Sequence, residues 1–425
     1  MKRANIAVHL LACVLVYIAL RVALAAAHVA PHAPVQLMPP VVMKTHRIRL
    51  NPTGEQEDYF NRASGTARFA YNWGLARWNE MFAAGEKPSA NKIKKQFNKI
   101  KRKEFPWVVD VTKCAAEAAF ADLGTAFSNY FRRKKEGSLP KQKLGQKPRK
   151  DGKPLGHPRF KSKKRSKKSF YLSNDQFKVD GHWVRIPKLG WVNMAEELRF
   201  NGKIMSARIT NKAGQWYISI TVEVPIKTHA SRNNLSVGID LGINKLATLS
   251  TGKVFENQKV LRQQLSQLKR LNRQLSRRQK GSKRWQKTKR KLQRLHEQIA
   301  HQRQDYIHKM TTWIAQNYGF IATEDLNVAG MVRNRRLARS LSDASFGEIA
   351  RQLEYKSSWL GGEVQKVDMF FPSSKKCSGC GAKNSSLTLQ HRIFDCPNPN
   401  CSLVLDRDLN AAINILAEGL RLAGK

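Results

Sequence analysis

Four of the six cysteines fall between Cys377 and Cys401, as "CSGC" followed by "CPNPNC". A C-x2-C pair followed by a second pair is the spacing with which thiolates surround a tetrahedral zinc ion. Four thiolates leave no open position, so Cys377, Cys380, Cys396 and Cys401 are expected to hold structural rather than catalytic zinc. The second spacing, x4 instead of x2, is looser than usual. Cys13 and Cys114 stand alone in apolar or helical settings and are expected to be inert. Directly after the last cysteine, "CSLVLDRDLNAAINIL" sets Asp406 and Asp408 at the start of an Ala-rich helix.

Those acids are unusual company for this chain, which has 77 Lys+Arg against 31 Asp+Glu and a net charge of +46. Such a field attracts polyanions and is out of place in an enzyme of small metabolites. A ribosomal or packaging protein would account for the charge alone. It would not account for 425 residues of which 41% are hydrophobic, set in several patterned blocks that imply two or three domains.

Residues 1–42 read as a signal-like or mis-assigned N-terminal extension: a basic start, an apolar run interrupted by Arg21, then a Pro-rich stretch. The authentic start is expected at Met43, with a cytoplasmic, nucleoid-associated location and no membrane partner. "HRIRL" predicts a short strand over 43–51, and "NPTGEQEDYF" opens a helix capped by Asn51 or Thr53. The region 52–133 is expected to be helical, its aromatics mostly packed between helices; Arg68, Tyr71 and Asn72 are the candidates for touching nucleic acid. Composition then shifts to the basic run Lys134–Lys168, where Arg159, Lys161, Lys164 and Arg165 are further candidates for phosphate contact. Strand-like segments punctuated by Gly181, Gly190 and Gly214 complete a basic β domain over 134–232, a small antiparallel barrel or sheet.

"SVGIDLGINKLATLS" begins a new domain over 233–425. Its insert at 256–318 carries Leu261, Leu265, Leu268, Leu271 and Leu275 at three- and four-residue steps, breaks at Gly281-Ser282, and resumes through Trp285, Leu292, Leu295 and Ile299: a basic helical hairpin. Asp240 interrupts one apolar strand and Glu324 closes another. An acid so placed is unfavourable unless it is paired, exposed at a strand end or bound to a metal. Asp408 shares a helix face with Ala411, Ala412 and Ile415, the face that must pack on a sheet, whereas Asp406 stands at the N-cap position. Asp240, Glu324 and Asp408 together offer three hard oxygen ligands suited to Mg²⁺ at a phosphodiester.

"GIDLGINKLATLS", "IATEDLNVAGM" and "C-x2-C…R-x3-C…DRDLNAAINIL" resemble the three RuvC segments and zinc ribbon of the transposon-encoded TnpB (OrfB) family, relatives of the type V CRISPR nucleases. "LNPTGEQ…RFAYNWGL", "HPRFKSKK" and "RQDYIHKMTTWI" resemble further blocks, so the likeness spans about Met43 to Gly419. The chain departs from the family in its N-terminal extension, in C-x4-C, and in Ser402 where glycine is frequent. The resemblance implies a multidomain fold of mixed α/β and α+β character. A ribonuclease-H-like RuvC domain would carry a zinc ribbon at 375–403, beside a helical recognition lobe and a β wedge domain. It implies an RNA-guided, Mg²⁺-dependent DNA endonuclease (a hydrolase of a transposable element) that cuts beside a short motif with a single RuvC-like site. Asp240, Glu324 and Asp408 would be the catalytic acids. The partners implied are a guide RNA from the transposon end and double-stranded target DNA, with no small-molecule substrate. A catalytically silent RNA-guided binder would carry the same surfaces but is expected to lack one of the acids. A DDE-type transposase would also need three acids, but the ribbon directly before "DRDLNAAINIL" argues against it.

Overall fold

Strand β1, Val41–Asn51, alternates inward and outward side chains, with His46, Ile48 and Leu50 buried. It is the first element of a computed structural model that describes residues 41–140, 149, 151–226, 235–388 and 390–425. Most of the N-terminal extension, part of the basic run and the expected boundary at 232/233 lie outside the described residues. The strand includes residues before Met43: Val41 and Val42 already pair with Pro225 and Val224.

Helix α1, Gly54–Ala83, starts on a capping box in which the Thr53 hydroxyl accepts from the Gln56 amide and the Gln56 side chain accepts from the Thr53 amide. Helices α2, Ala90–Glu104, and α3, Lys113–Lys135, pack against it through an aromatic core in which Trp78 stacks on Phe127 at 4.0 Å. The strands that follow are β2 (Ser169–Ser173), β3 (Lys178–Asp180), β4 (Trp183–Ile186), β5 (Gly190–Met194), β6 (Lys203–Lys212) and β7 (Gln215–Pro225). They join β1 in one antiparallel seven-stranded sheet of order β2-β6-β7-β1-β5-β4-β3. Tyr59 and Phe60 of α1 enter its core. The long central β1 is therefore shared: it opens the chain and completes a sheet made more than a hundred residues later.

A second sheet has the order β10-β9-β8-β11-β12, from β8 (Ser236–Asp240), β9 (Lys245–Leu249), β10 (Val254–Glu256), β11 (Phe320–Glu324) and β12 (Glu363–Val367). The β8–β9–β10 meander is antiparallel; β8, β11 and β12 are mutually parallel and need crossovers. The first crossover contains the hairpin of α4 (Leu265–Ser276) and α5 (Lys283–Asn317), reversed at Gly281 with φ +94° and zipped by Leu268, Leu271, Leu295 and Ile299. The second contains α6 (Ala338–Ala344) and α7 (Phe346–Trp359).

Both faces of this sheet are covered, so the central strands β8 and β11 are buried along nearly their whole length, while the edge strand β12 keeps Glu363 and Lys366 exposed. Ile307, Met310 and Ile314 of α5, with Leu341, Ile349 and Leu353, pack on Val237, Ile239 and Ile321. The opposite face takes α8, Arg407–Leu422, through Ile415, Leu416 and Leu420 against Phe320, Ala322 and Val367. The helix comes so close that a Cβ on Gly238 would stand 2.0 Å from the Ala412 carbonyl oxygen, so no side chain fits there. Between β12 and α8 lies the cysteine-bearing segment, with the short hairpin β13 (Ile393–Asp395) and β14 (Val404–Asp406). Among the described residues no helix is long and apolar enough to cross a membrane.

Candidate active site and cysteine cluster

The register of two strands brings the first acids together. In the parallel pair β8/β11, Thr323 lies opposite Ile239, so Asp240 and Glu324 are the next residues, at the carboxyl ends of adjacent strands. Asp240 follows Gly238 by two and leaves the same face of the sheet, the face that α8 covers. Asp408 precedes Ala412 by four and lies on the same side of its helix. Two residues along a strand rise about 6.6 Å and four along a helix about 6 Å. The close approach of Gly238 to Ala412 therefore carries over, one step on, to Asp240 and Asp408.

Electrostatics follow from that convergence. Burial, then the charges of Glu324 and Asp408, push the Asp240 carboxyl up to about 7. Burial also raises Glu324, against the opposing pull of the Ser373 hydroxyl, which donates to Glu324 Oε1 at 2.6 Å. Asp406 has a different environment. Its Oδ1 accepts from the amides of Asp408 and Leu409 at 3.0 and 3.2 Å, and its Oδ2 takes the Lys245 ammonium at 2.7 Å. Burial works against its charge, but Lys245 and the two amides hold its carboxyl below the usual range. Asp406 thus caps α8 and is neutralised, while among the described residues the other three carboxylates have no salt-bridge partner, Arg407 acting on Asp240 only from a distance.

The four cysteine sulfurs gather within 4.8 Å of one another; Cys377 Sγ and Cys401 Sγ are 3.8 Å apart, and Cys380 Sγ and Cys396 Sγ 3.5 Å. A tetrahedron of Zn–S bonds of about 2.3 Å has edges near 3.8 Å, so this cluster is of a size to hold zinc. Backbone amides of Ala382, Asn398 and Leu403 are directed at the sulfurs of Cys380, Cys396 and Cys401. The extra residues of C-x4-C fold into a turn closed by Asn398, whose side chain accepts from the Asn400 amide and whose carbonyl accepts from Cys401. Among the described residues no carboxylate set is as tight, so Asp240, Glu324 and Asp408 are spread more widely than these sulfurs.

Sequence reasoning missed the residues that join cluster and acids. Asn410 and Asn414, buried one turn apart on α8, hold the carbonyls of Ser373 and Lys376 and the amide of Ser378. Arg407 clasps the Thr388 carbonyl at 2.8 Å. Two asparagines at i and i+4 in an apolar helix were a visible signal; Ser373 gave none.

The candidate nucleic-acid residues divide. Tyr71 is buried with the Lys161 ammonium 3.6 Å over its ring, and Asn72 exchanges hydrogen bonds of 2.9 and 2.7 Å with the Lys161 backbone. Arg68 and Lys161 border one small cavity, beside the Asp122–Arg208 ion pair. Arg159, Lys164 and Arg165 are exposed on the segment that Asn72 anchors.

Residues 219–335 match a family described as a probable transposase, OrfB of IS605, and residues 346–415 match a Cas12f1-like TNB domain. Residues 38–87 match a helix-turn-helix domain of the same OrfB group, although from Val41 to Ala83 they form β1 and the single helix α1 here. A protein of Escherichia coli (strain K12), "Putative RNA-guided DNA endonuclease InsQ", is 33% identical over 89% of this chain and 92% of its own length. A "Putative RNA-guided DNA endonuclease" of Streptomyces pristinaespiralis is 32% identical over 89% and 90%. In fold, the chain is similar to Cas12f1 as seen by cryo-EM with sgRNA and target DNA. The TM-score is 0.52 at 14% identity, covering 88% of this chain and 98% of that one.

Proposed function

Because the chain belongs to the TnpB (OrfB) family, related to the type V CRISPR effectors, we propose that it is an RNA-guided DNA endonuclease with a single RuvC-type site at Asp240, Glu324 and Asp408. The observation that carries this reading is the meeting of those acids at the carboxyl ends of β8 and β11, beneath the first turn of α8. The strand order β10-β9-β8-β11-β12, a meander followed by parallel strands, supports a ribonuclease-H-like assignment for this sheet.

The donor set fits magnesium: three carboxylates, two of them desolvated by their surroundings, none with a salt-bridge partner among the described residues. Paired Mg²⁺ ions bound there would activate water and stabilise the leaving oxygen of a phosphodiester. The protein's own contribution is to hold the carboxylates together and aimed, in surroundings where a cation would favour their ionised form. Ser373 fixes one oxygen of Glu324, and Lys245 draws Asp406 away from the centre to cap α8. The four cysteines would hold a structural zinc that keeps Ser373 and Lys376 against α8. In this reading residues 43–51 and 134–232 form the wedge, 52–133 the recognition lobe, and 233–425 the nuclease domain. Guide RNA from the transposon end and double-stranded target DNA, cut beside a short motif, are the proposed partners; the proposed location is cytoplasmic and nucleoid-associated. Arg68, Arg159, Lys161, Lys164 and Arg165 would contact nucleic acid, with Tyr71 and Asn72 setting their position.

The test is a cleavage assay with copurified RNA. Asp240→Ala, Glu324→Ala and Asp408→Ala should each abolish Mg²⁺-dependent cutting while RNA binding persists, because metal ligands act as one unit. Asp406→Ala should keep cutting and lose cap stability of about 1 kcal/mol. Wild-type protein that binds RNA and target DNA without cutting would instead identify a silent binder.

A further inference from the structure

A cavity of about 360 Å³ opens at the end of the five-stranded sheet where β8 turns into β9. Ile243 and Asn244 of that turn form one wall, Lys259 and Arg262 at the entrance to the helical hairpin a second, and Arg339 of α6 a third. The same turn also borders the cavity lined by Glu324, through Leu241. The residues that follow Asp240 thus line parts of both spaces.

The cations of the two cavities differ. Beside Glu324, Arg351 is paired with Glu348 at 2.7 Å and Lys366 with Glu354 at 2.8 Å. In the neighbouring cavity, Lys259, Arg262 and Arg339 have no carboxylate partner among the described residues. The one acid in its wall, Asp343, is buried and occupied: both its oxygens accept from the Leu261 amide, at 3.2 and 3.1 Å, and Arg303 lies 3.8 Å away. Three positive charges without a carboxylate partner thus border one hollow, Arg262 and Arg339 exposed and Lys259 half-buried, an arrangement that an anion would join. The backbone is also held in an unfavourable shape there. Lys259 has φ +46° and ψ +41°, left-handed for a residue with a Cβ. Asn257 enforces it, accepting from the Lys259 amide at 3.0 Å while donating to the Ile243 carbonyl at 2.7 Å. One asparagine thus fixes both the basic corner and the turn that follows Asp240.

We infer that this cavity seats one phosphodiester of the bound nucleic acid, gripped by Lys259, Arg262 and Arg339, and so sets how far a strand extends past the acids. The inference rests on the nuclease reading given above. Guanidinium forks suit a non-bridging phosphate oxygen pair, and the turn links this grip to the cutting centre. The phosphate belongs either to a DNA strand or to the guide RNA.

The probe is a single uncharged methylphosphonate linkage, moved one position at a time through each target strand and, separately, through the guide RNA. Affinity and single-turnover cutting are both read, with the RNA-loaded full chain and with Arg262→Gln/Arg339→Gln. One linkage should weaken wild-type binding about tenfold, and that effect should vanish in the double variant, with Arg262→Lys retaining most of it. The strand bearing that linkage identifies the source. If every linkage that matters in wild type matters equally in the double variant, the inference is wrong. Failure to cut the unmodified target would sink the nuclease reading instead, with the affinity arm still deciding the cavity.

Discussion

Asp240 is held where its charge is least welcome, at the end of a buried strand with Glu324 and Asp408 bearing on it. An acid whose folded carboxyl titrates near 7 and whose unfolded carboxyl titrates near 3.8 binds more protons folded than unfolded between those values. Stability therefore falls as pH rises through that window, and above it the full penalty stands. In buffer free of divalent cations, Asp240→Asn should stabilise the five-stranded unit by roughly 1–3 kcal/mol at pH 8. The gap should close towards pH 4 and disappear or reverse when Mg²⁺ is added. Thermal melts of the two proteins that coincide at every pH would show that Asp240 carries no such burden. Asp240 was legible in the sequence for this same reason, because a lone acid inside "SVGIDLG" conflicts with its neighbours. Ser373, which holds Glu324, was not: one serine in "FPSSKK" resembles the next until a fold selects it.

Helix α8 binds two sites that the chain separates. Its first turn carries Asp408; its second and third carry Asn410 and Asn414, which hold the strap leading from Ser373 to Cys377. Loosening the cysteine cluster should thus be felt at Glu324. Cys396→Ser, far in sequence from Glu324, should lose the bound zinc by elemental analysis and slow cutting at least about tenfold, since a closed thiolate site contributes folding energy. Asp408→Ala should keep its zinc. Zinc-free protein that cuts at the wild-type rate would break the connection. At this scale local periods were readable: the leucine steps of the hairpin, the Thr53 cap and the strand alternation each appear where the pattern placed them. Sheet order was not readable, because β1 pairing with β7 and β8 with β11 depends on contacts across long loops, which leave no periodic mark.

A net charge of +46 makes the whole molecule an unfinished electrostatic structure. Direct links between its parts include Lys212 with Glu297 at 2.8 Å and Lys44 over the Trp359 ring at 4.7 Å. Self-repulsion is screened over about 10 Å at 0.1 M salt and about 3 Å at 1 M. RNA-free protein should therefore melt at higher temperature as potassium chloride rises across that range, whereas RNA-loaded protein should gain little or lose. A midpoint of free protein that stays flat or falls would mean that repulsion does not limit it. The charge class was legible from composition alone; the docking of β1, α8 and the cysteine strap onto distant strands was not. The seat of α8 on Gly238 also has a consequence in time. Asp408 is translated well over a hundred residues after Asp240, a delay of roughly ten to thirty seconds at ordinary elongation speed. Throughout that interval the basic N-terminal half has left the ribosome and is exposed to nucleic acid, while the three acids are not yet assembled. On the proposed reading a newborn chain would hold nucleic acid before it could cut, and a nascent chain aborted before α8 would be unable to cut.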